Sequence, residues 1–488
     1  MDQLAPVLLA FPPENRLIDN DGYDKAVKTH LGRLTKLLKE NHADLVLHGS
    51  QLLELLNPAV NSLSYLAVLH TLVIPAFATS AARDLLLEKL VTFLVSFDGR
   101  QCRYAGTHLQ DLFGAVGSGQ YLPPSVAVEA LATAILKLDP TGSMLTSSHI
   151  ILARLAYNTN NIEPALQVID KNIVFYPGMA NHGDPQHLCD LDLPPPAYIT
   201  RENGLTAIVK AASVMEYDML CGMMYCARRE WEKAHAAFER VVTFPTREGG
   251  TSKIMVEAYK KWVLVGLLLN GKLADPPSYT GAAANKFYGT LGKPYTSVAA
   301  AFVTKNAEAL KMEVEKNAEL WQEDGNTGLL REVLAAYQKW RVLGLQDIYT
   351  KISIGEIREQ TLSAETGEKL GKDEDVEALV QNMIIGGMLR GVLEKNDDGT
   401  IFLTFLSAST ELSEQQFANE LARTALRLKQ LQPIFRATNE RLGTSKDYIK
   451  HVMKESKRNE KNDVPDPTLG FDAQVDDEDL MGGVVPTG

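Results

Sequence analysis

Cysteine is scarce in this chain, with four (Cys102, Cys189, Cys221, Cys226) in 488 residues. Four cannot form the disulfide framework of so long a fold, which fits a reducing compartment. Positive charge is short as well: 49 Lys and Arg stand against 61 Asp and Glu, a formal net charge of −12. That balance argues against general binding to nucleic acid or anionic membranes. Long apolar runs are missing. The longest, Tyr65–Phe77, contains His70 and Pro75 and is too short to span a bilayer. The opening MDQLAPVLLAFPPENR begins with an acid and is broken by prolines, unlike a secretory signal. These shortages predict a soluble, intracellular protein.

The spacings of catalytic chemistry are absent too. The ten histidines are scattered, and no His-x-His or His-Glu-x-x-His occurs. Cys221 and Cys226, five apart in the apolar CGMMYC, lack a second ligand pair and read as core thiols. GAVGSG (Gly114–Gly119) has no following Lys-Ser/Thr and reads as a flexible turn, not a phosphate loop. No serine occupies a Gly-x-Ser-x-Gly elbow. His182 and His187 read as solvated loop residues. No catalytic residue, metal ligand or cofactor is assigned, and the chain is expected not to be an enzyme.

Helical periodicity is what the chain has in plenty. Leu31, Leu34, Leu37 and Leu38 share one face, and Leu45–Leu56, Leu66–Phe77 and Leu85–Phe97 continue the theme, punctuated by Asn57-Pro58, Pro75 and Asp98-Gly99. Further helices are expected at Ser125–Leu138, Ser148–Asn158, Ser252–Asn270, Ala307–Gln322 and Gly328–Tyr349. An internal repeat stands out: Ile162–Phe175 (IEPALQVIDKNIVF) aligns with Trp231–Phe244 (WEKAHAAFERVVTF). The offset of 69 residues is about twice the 34-residue tetratricopeptide period. Each copy follows an apolar helix and a polar turn; Ala165 and Ala234 allow close packing, and such pairs stack into a solenoid. Between them, Tyr176–Glu202 is proline-rich and reads as a long loop.

Ile352–Phe405 has a different character. Ser353 is placed to cap a short helix running to Thr361. Val376, Leu379, Val380, Met383 and Ile384 recur at helical spacing, and Gly386-Gly387 stops the run. Two β-capable runs, Leu389–Glu394 and Ile401–Phe405, flank Asn396-Asp397-Asp398-Gly399, a hairpin signal. Two helices and a hairpin make a winged helix. DNA binding is disfavoured, because Asp373–Met388 holds four acids and no Lys or Arg. Ile401, Leu403 and Phe405 read as an open strand edge for a neighbour, with closure of their own wing as the rival reading.

Beyond the wing, Ser413–Leu442 reads as one amphipathic helix. Leu421, Leu428, Phe435 and Leu442 fall seven apart with Phe417 and Leu431 flanking, a greasy seam that either receives a partner helix or folds back on the solenoid. Pro433 is expected to kink it. Then come a basic run (Lys446, Lys450, Lys454, Lys457, Arg458, Lys461), read as a solvated helix end or nuclear-import patch, and seven acids from Asp463 to Asp479. The tail is expected to be disordered.

The predicted fold class is an all-α, TPR-like helical-repeat solenoid, then a winged helix and a C-terminal helix, with strands only in the wing. The boundaries read as 1–212 N-terminal repeats, 213–350 C-terminal repeats, 351–407 winged helix, 411–445 bundle helix and 446–488 tail. This layout resembles the PCI-domain family. YDMLCGMMYCARREWEKAHAAFERVVTFP, IMVEAYKKWVLVGLLLNGKL and VEALVQNMIIGGMLRGVLEKNDDGTIFLTF narrow the resemblance to the third-subunit family of the COP-nine signalosome, best over Ser213–Phe405. The resemblance implies a non-catalytic scaffold in a complex that removes the ubiquitin-like modifier Nedd8 from cullins and so regulates cullin–RING ubiquitin ligases, in cytoplasm and nucleus. It also implies partner subunits met through winged-helix edges and a C-terminal helical bundle, with the protease activity in another subunit. A PCI scaffold of the proteasome lid or of the eukaryotic translation initiation factor three complex is the alternative.

Overall fold

The computed structural model describes all residues except 1–3, 14–18, 77–82, 177–184, 247–249, 305, 397–398, 407–413, 445 and 463–488. Helices dominate it, and the one sheet among the described residues lies in the winged helix. Most expected helices form within a few residues of their expected ends: His42–Leu55, Ser62–Ala76, Arg83–Ser96, Pro124–Leu138, Ser147–Asn158 and Lys253–Asn270. Ser252 caps the last of these by accepting from the Met255 N–H at 3.3 Å. Ala307–Gln322 divides into Ala307–Lys316 and Ala318–Glu323. The Gly114–Gly119 segment is not a free turn. Through Gly117 it forms the end of the helix Gly106–Gly117.

The repeat is written in turn geometry as well as sequence. Asn160 (φ 54°) and Arg229 (φ 58°), again 69 apart, both adopt the left-handed conformation. Asn161 N–H donates to Ala156 O and Glu230 N–H to Tyr225 O, each at 3.0 Å. This six-to-one closure ends a helix and reverses the chain. Gly325 (φ 66°) repeats the device, with Asn326 N–H donating to Trp321 O at 2.9 Å. Ala165 and Ala234 are fully buried, as close packing requires. Gly222 shows how tight the second pair is: an added Cβ would stand 2.5 Å from the Phe238 ring. The first copy nevertheless departs from the second. It holds a 3-10 turn over Glu163–Ala165 and an α-helix only over Leu166–Ile169, and then pairs Phe175 with Met144 as an isolated bridge, whereas the second copy is α-helical over Trp231–Val242.

The proline-rich stretch is better packed than a loop of its composition suggests. Arg100 Nε donates to Cys189 O at 2.7 Å, and Arg103 holds the carbonyls of Leu188 and Asp190. The Arg103 guanidinium stacks 3.6 Å from the centre of the Tyr198 ring. Cys189, Ala197, Tyr198 and Ile199 are buried. His187 is half-buried, and His182 lies outside the described residues.

One hydrophobic core runs from Leu4 to Tyr337 and takes in Ala364; a smaller one fills the winged helix. Val342, on the helix Thr327–Leu343, belongs to the smaller core. In return, Gln338 Nε2 donates to Thr361 Oγ1 at 3.2 Å. Solenoid and winged helix thus share elements, and residues 1–411 form one compact unit. A second unit begins at Leu412 and holds the helices Glu414–Thr444 and Lys446–Asn462. The first is helical on both sides of Pro433 with no interruption. The second corrects the expectation of a disordered tail from 446: in helical phase its apolar residues align, so the basic run has a stripe to organise it. Residues 463–488 lie outside the described residues.

Candidate interaction surfaces

The winged helix assembles from local signals. Ser353 Oγ accepts from the Glu356 N–H at 3.2 Å while Ser353 N–H donates to Glu356 Oε2 at 3.1 Å, a reciprocal cap that starts the helix Ile354–Gln360. The helix Asp373–Ile385 buries Val376, Val380 and Met383 and leaves Glu374 and Asp375 exposed. Gly387 (φ 72°) closes it, with Met388 N–H donating to Met383 O at 3.0 Å. The hairpin strands are β2 (Gly391–Lys395) and β3 (Ile401–Phe405), and Gly399 turns between them at φ 86°. Asp397 and Asp398 lie outside the described residues.

A third strand changes what this sheet offers. β1 (Lys351–Ser353) pairs antiparallel with β3, so the order is β1-β3-β2 and β3 is central. The open-edge reading of Ile401–Phe405 is therefore overturned: both of its edges are occupied. Side chains alternate along a strand, and Ile401, Leu403 and Phe405 all point into the smaller core, with Leu403 fully buried. Closure of their own wing is what these three residues do. The sheet's outer edge beside the hairpin is β2. Arg390 O accepts from Leu406 N–H and Thr400 O from Asn396 N–H. By antiparallel alternation the N–H groups of Gly391, Leu393 and Lys395 then face away from β3. Lys351 Nζ reaches over β3 to Glu394 Oε2 at 2.9 Å and tethers the two outer strands.

In the C-terminal unit the expected seam is present. Phe417, Leu421, Leu428, Leu431, Phe435 and Leu442 lie on Glu414–Thr444, exposed by between 41% and 71%. Six large apolar side chains in one stripe form a patch of the kind that marks interaction sites.

Two buried features bear on chemistry. Cys221 is buried and Cys226 half-buried, and burial pushes the Cys226 thiol up to about 12, where it is no nucleophile. Among the described residues no group of three or more His, Cys, Asp or Glu side chains could hold a metal ion, and no helix is long and apolar enough to cross a membrane. The EAYKKW motif supplies a buried network that sequence reasoning did not foresee. Lys260 Nζ lies 2.8 Å from both Glu257 and Asp324, and Lys261 Nζ 2.7 Å from Asn326 Oδ1. Asn326 Nδ2 donates to the Tyr295 hydroxyl, which donates to Asp324 Oδ2, each at 2.7 Å. Burial opposes the Lys260 charge, but Asp324 and Glu257 outweigh it and its pKa ends raised; burial prevails at Lys261, whose pKa falls. The network joins Lys253–Asn270 to the turn before Thr327–Leu343, so its role is structural.

Comparison with known proteins agrees with this architecture. Residues 25–284 match the model of the family described as COP9 signalosome complex subunit 3, N-terminal helical repeats. The chain is 42% identical over 498 residues, 99% of each chain, to the Neurospora crassa protein named COP9 signalosome complex subunit 3. It is 30% identical over 448 residues to the Emericella nidulans protein of the same name, covering 88% of this chain and 89% of the relative. With full-length similarity, the matching repeats and the winged helix in place, the chain belongs to the COP9 signalosome subunit 3 family.

Proposed function

We propose that the chain is a non-catalytic scaffold subunit of the COP9 signalosome. It joins other subunits of the complex that removes Nedd8 from cullins, and so acts on cullin–RING ubiquitin ligases indirectly. The observation that carries this is the exposed seam Phe417–Leu442. An apolar stripe gains free energy when it is covered, and heptad spacing suits it to another helix. The β2 edge offers a second contact, through backbone pairing with a neighbour's strand. Glu374 and Asp375 on the exposed face of the second wing helix favour a protein partner over a phosphate backbone. Residence in cytoplasm and nucleus follows from the family resemblance.

Affinity purification of the tagged chain from its own cells, with native mass spectrometry of what accompanies it, tests the reading. The expected result is a complex with a metalloprotease subunit and several PCI subunits that strips Nedd8 from cullins. Recovery with proteasomal ATPases or ribosomal subunits would overturn the function and leave the fold untouched.

A further inference from the structure

Stacked helical repeats ordinarily touch only their neighbours in the row. Residues 185–206 instead run along several of them at once. At one end, Cys189 Sγ donates to Asn20 O at 3.2 Å. Arg100 joins the same two residues, from Nε to Cys189 O at 2.7 Å and from Nη2 to Asn20 Oδ1 at 2.9 Å. In the middle, the Tyr198 hydroxyl donates to Leu138 O at 3.1 Å. At the other end, Gln110 Nε2 donates to Leu205 O at 2.7 Å and Ser147 N–H to Thr206 Oγ1 at 3.1 Å. Gly106 completes the seat: a Cβ there would stand 2.2 Å from Asn203 O. One segment thus ties the helix Asn20–Glu40 to Gly106–Gly117, Pro124–Leu138 and Ser147–Asn158.

Arg103 is the clasp. Its guanidinium reaches the carbonyls of Leu188 and Asp190 and stacks on Tyr198, so it grips the segment at two places. The residue is only 6% exposed, its Nε has no hydrogen-bond partner, and no carboxylate pairs with it among the described residues. A buried cation without a counter-ion regains hydration when it is released, so the clasp opens more readily than the helices beneath it unfold. Pro194, Pro195 and Pro196 fix their own φ angles, and Asn203 Nδ2 donates to Tyr198 O at 3.1 Å. The segment therefore holds its shape when it lifts. We propose that residues 185–206 are a latched brace. Closed, it fixes the bend of the N-terminal repeats; open, it lifts as a unit and lets them straighten while their helices stay folded. The proposal does not depend on the scaffold reading.

Thiol labelling of the full-length chain with a maleimide, read at each cysteine by mass spectrometry, tests the latch. Cys189 is fully buried at the clasp, and Cys221, buried in a later repeat, is the control. In the wild-type chain Cys189 is expected to label faster than Cys221 and with a weaker dependence on denaturant. Lifting the brace exposes less surface than unfolding a repeat. R103A is expected to raise the Cys189 rate about ten-fold, while Cys221 labelling and helical circular dichroism stay at wild-type values. R103K keeps the charge without the flat, stacking fork, and is expected to raise the rate as well. Small-angle scattering of R100A/R103A should give a larger radius of gyration than the wild type. Labelling of Cys189 and Cys221 at one rate with one denaturant dependence would mean that the segment opens only as the repeats unfold, and would overturn the proposal. That comparison needs no variant to fold. A wild-type Cys189 rate in both R103A and R103K would overturn it too, as would an unchanged radius of gyration in R100A/R103A.

Discussion

At the scale of single residues, buried polar groups set the conditions for stability. Asp324 accepts from Tyr295 and neutralises Lys260, whose side chain is only 10% exposed. Asp324→Ala leaves a buried ammonium with Glu257 as its remaining carboxylate, and is expected to cost about 3 kcal/mol in chemical denaturation. A loss under about 1 kcal/mol would mean that the network contributes little beyond solvated pairs. His149 gives a pH dependence. It is fully buried, Thr146 N–H points at its Nδ1 from 3.3 Å, and burial pushes its pKa down to about 4. His30 is shifted the same way, also to about 4. A histidine kept neutral in the fold but basic when unfolded contributes stability above its unfolded pKa of about 6.5. That contribution is lost as pH falls from there towards 4. For His149 alone the loss is about 2 kcal/mol by pH 5. Denaturation midpoints measured from pH 7.5 to 5 should fall accordingly, and His149→Gln should flatten the slope.

At the scale of elements, the wing separates side-chain from backbone roles. Leu403 is core, so Leu403→Asp is expected to unfold the winged helix, whatever it does to partners. A test of the strand edge has to act on β2. Lys395 is exposed and its N–H faces away from β3, so Lys395→Pro removes an outward donor at little cost to the ladder. Unchanged circular dichroism with weaker neighbour-subunit contact in native mass spectrometry is expected. Full retention of the neighbour would rule out pairing through this edge. The helix Lys446–Asn462 carries a comparable division, apolar on one arc and basic on the next, which the composition of its basic run conceals.

At the scale of the whole molecule, every member of the two hydrophobic cores lies between Leu4 and Phe405. Deleting residues 413–445 is therefore expected to leave the melting temperature of the repeats within about 2 °C of the intact chain, while incorporation into the complex falls. Normal incorporation would defeat the bundle assignment. The shared elements at Val342 and Thr361 carry a different expectation: the winged helix and the last repeats should unfold together, in one transition rather than two.

Much of this organisation was legible in the sequence because its causes are local. Helix stripes need only neighbours three and four residues away, and Ser353, Gly387 and Gly399 act within their own turns. The seam residues Phe417–Leu442 were found from spacing alone. What could not be read locally was decided by partners far along the chain. β1 is three residues long, too short for a two-residue period to show, and it is a strand only because Thr404, Leu403 and Phe402 lie opposite it. That pairing makes β3 central and turns Ile401, Leu403 and Phe405 from an edge into a core. The proline-rich stretch has no periodicity to reveal its packing, and Arg100 and Arg103, more than 80 residues away, hold it in place. Helices, their turns and the apolar stripe of the C-terminal helix follow from residues within a few positions of one another. Which strand is open and which loop is held emerge only in the folded chain, since both depend on contacts that no window of neighbouring residues contains.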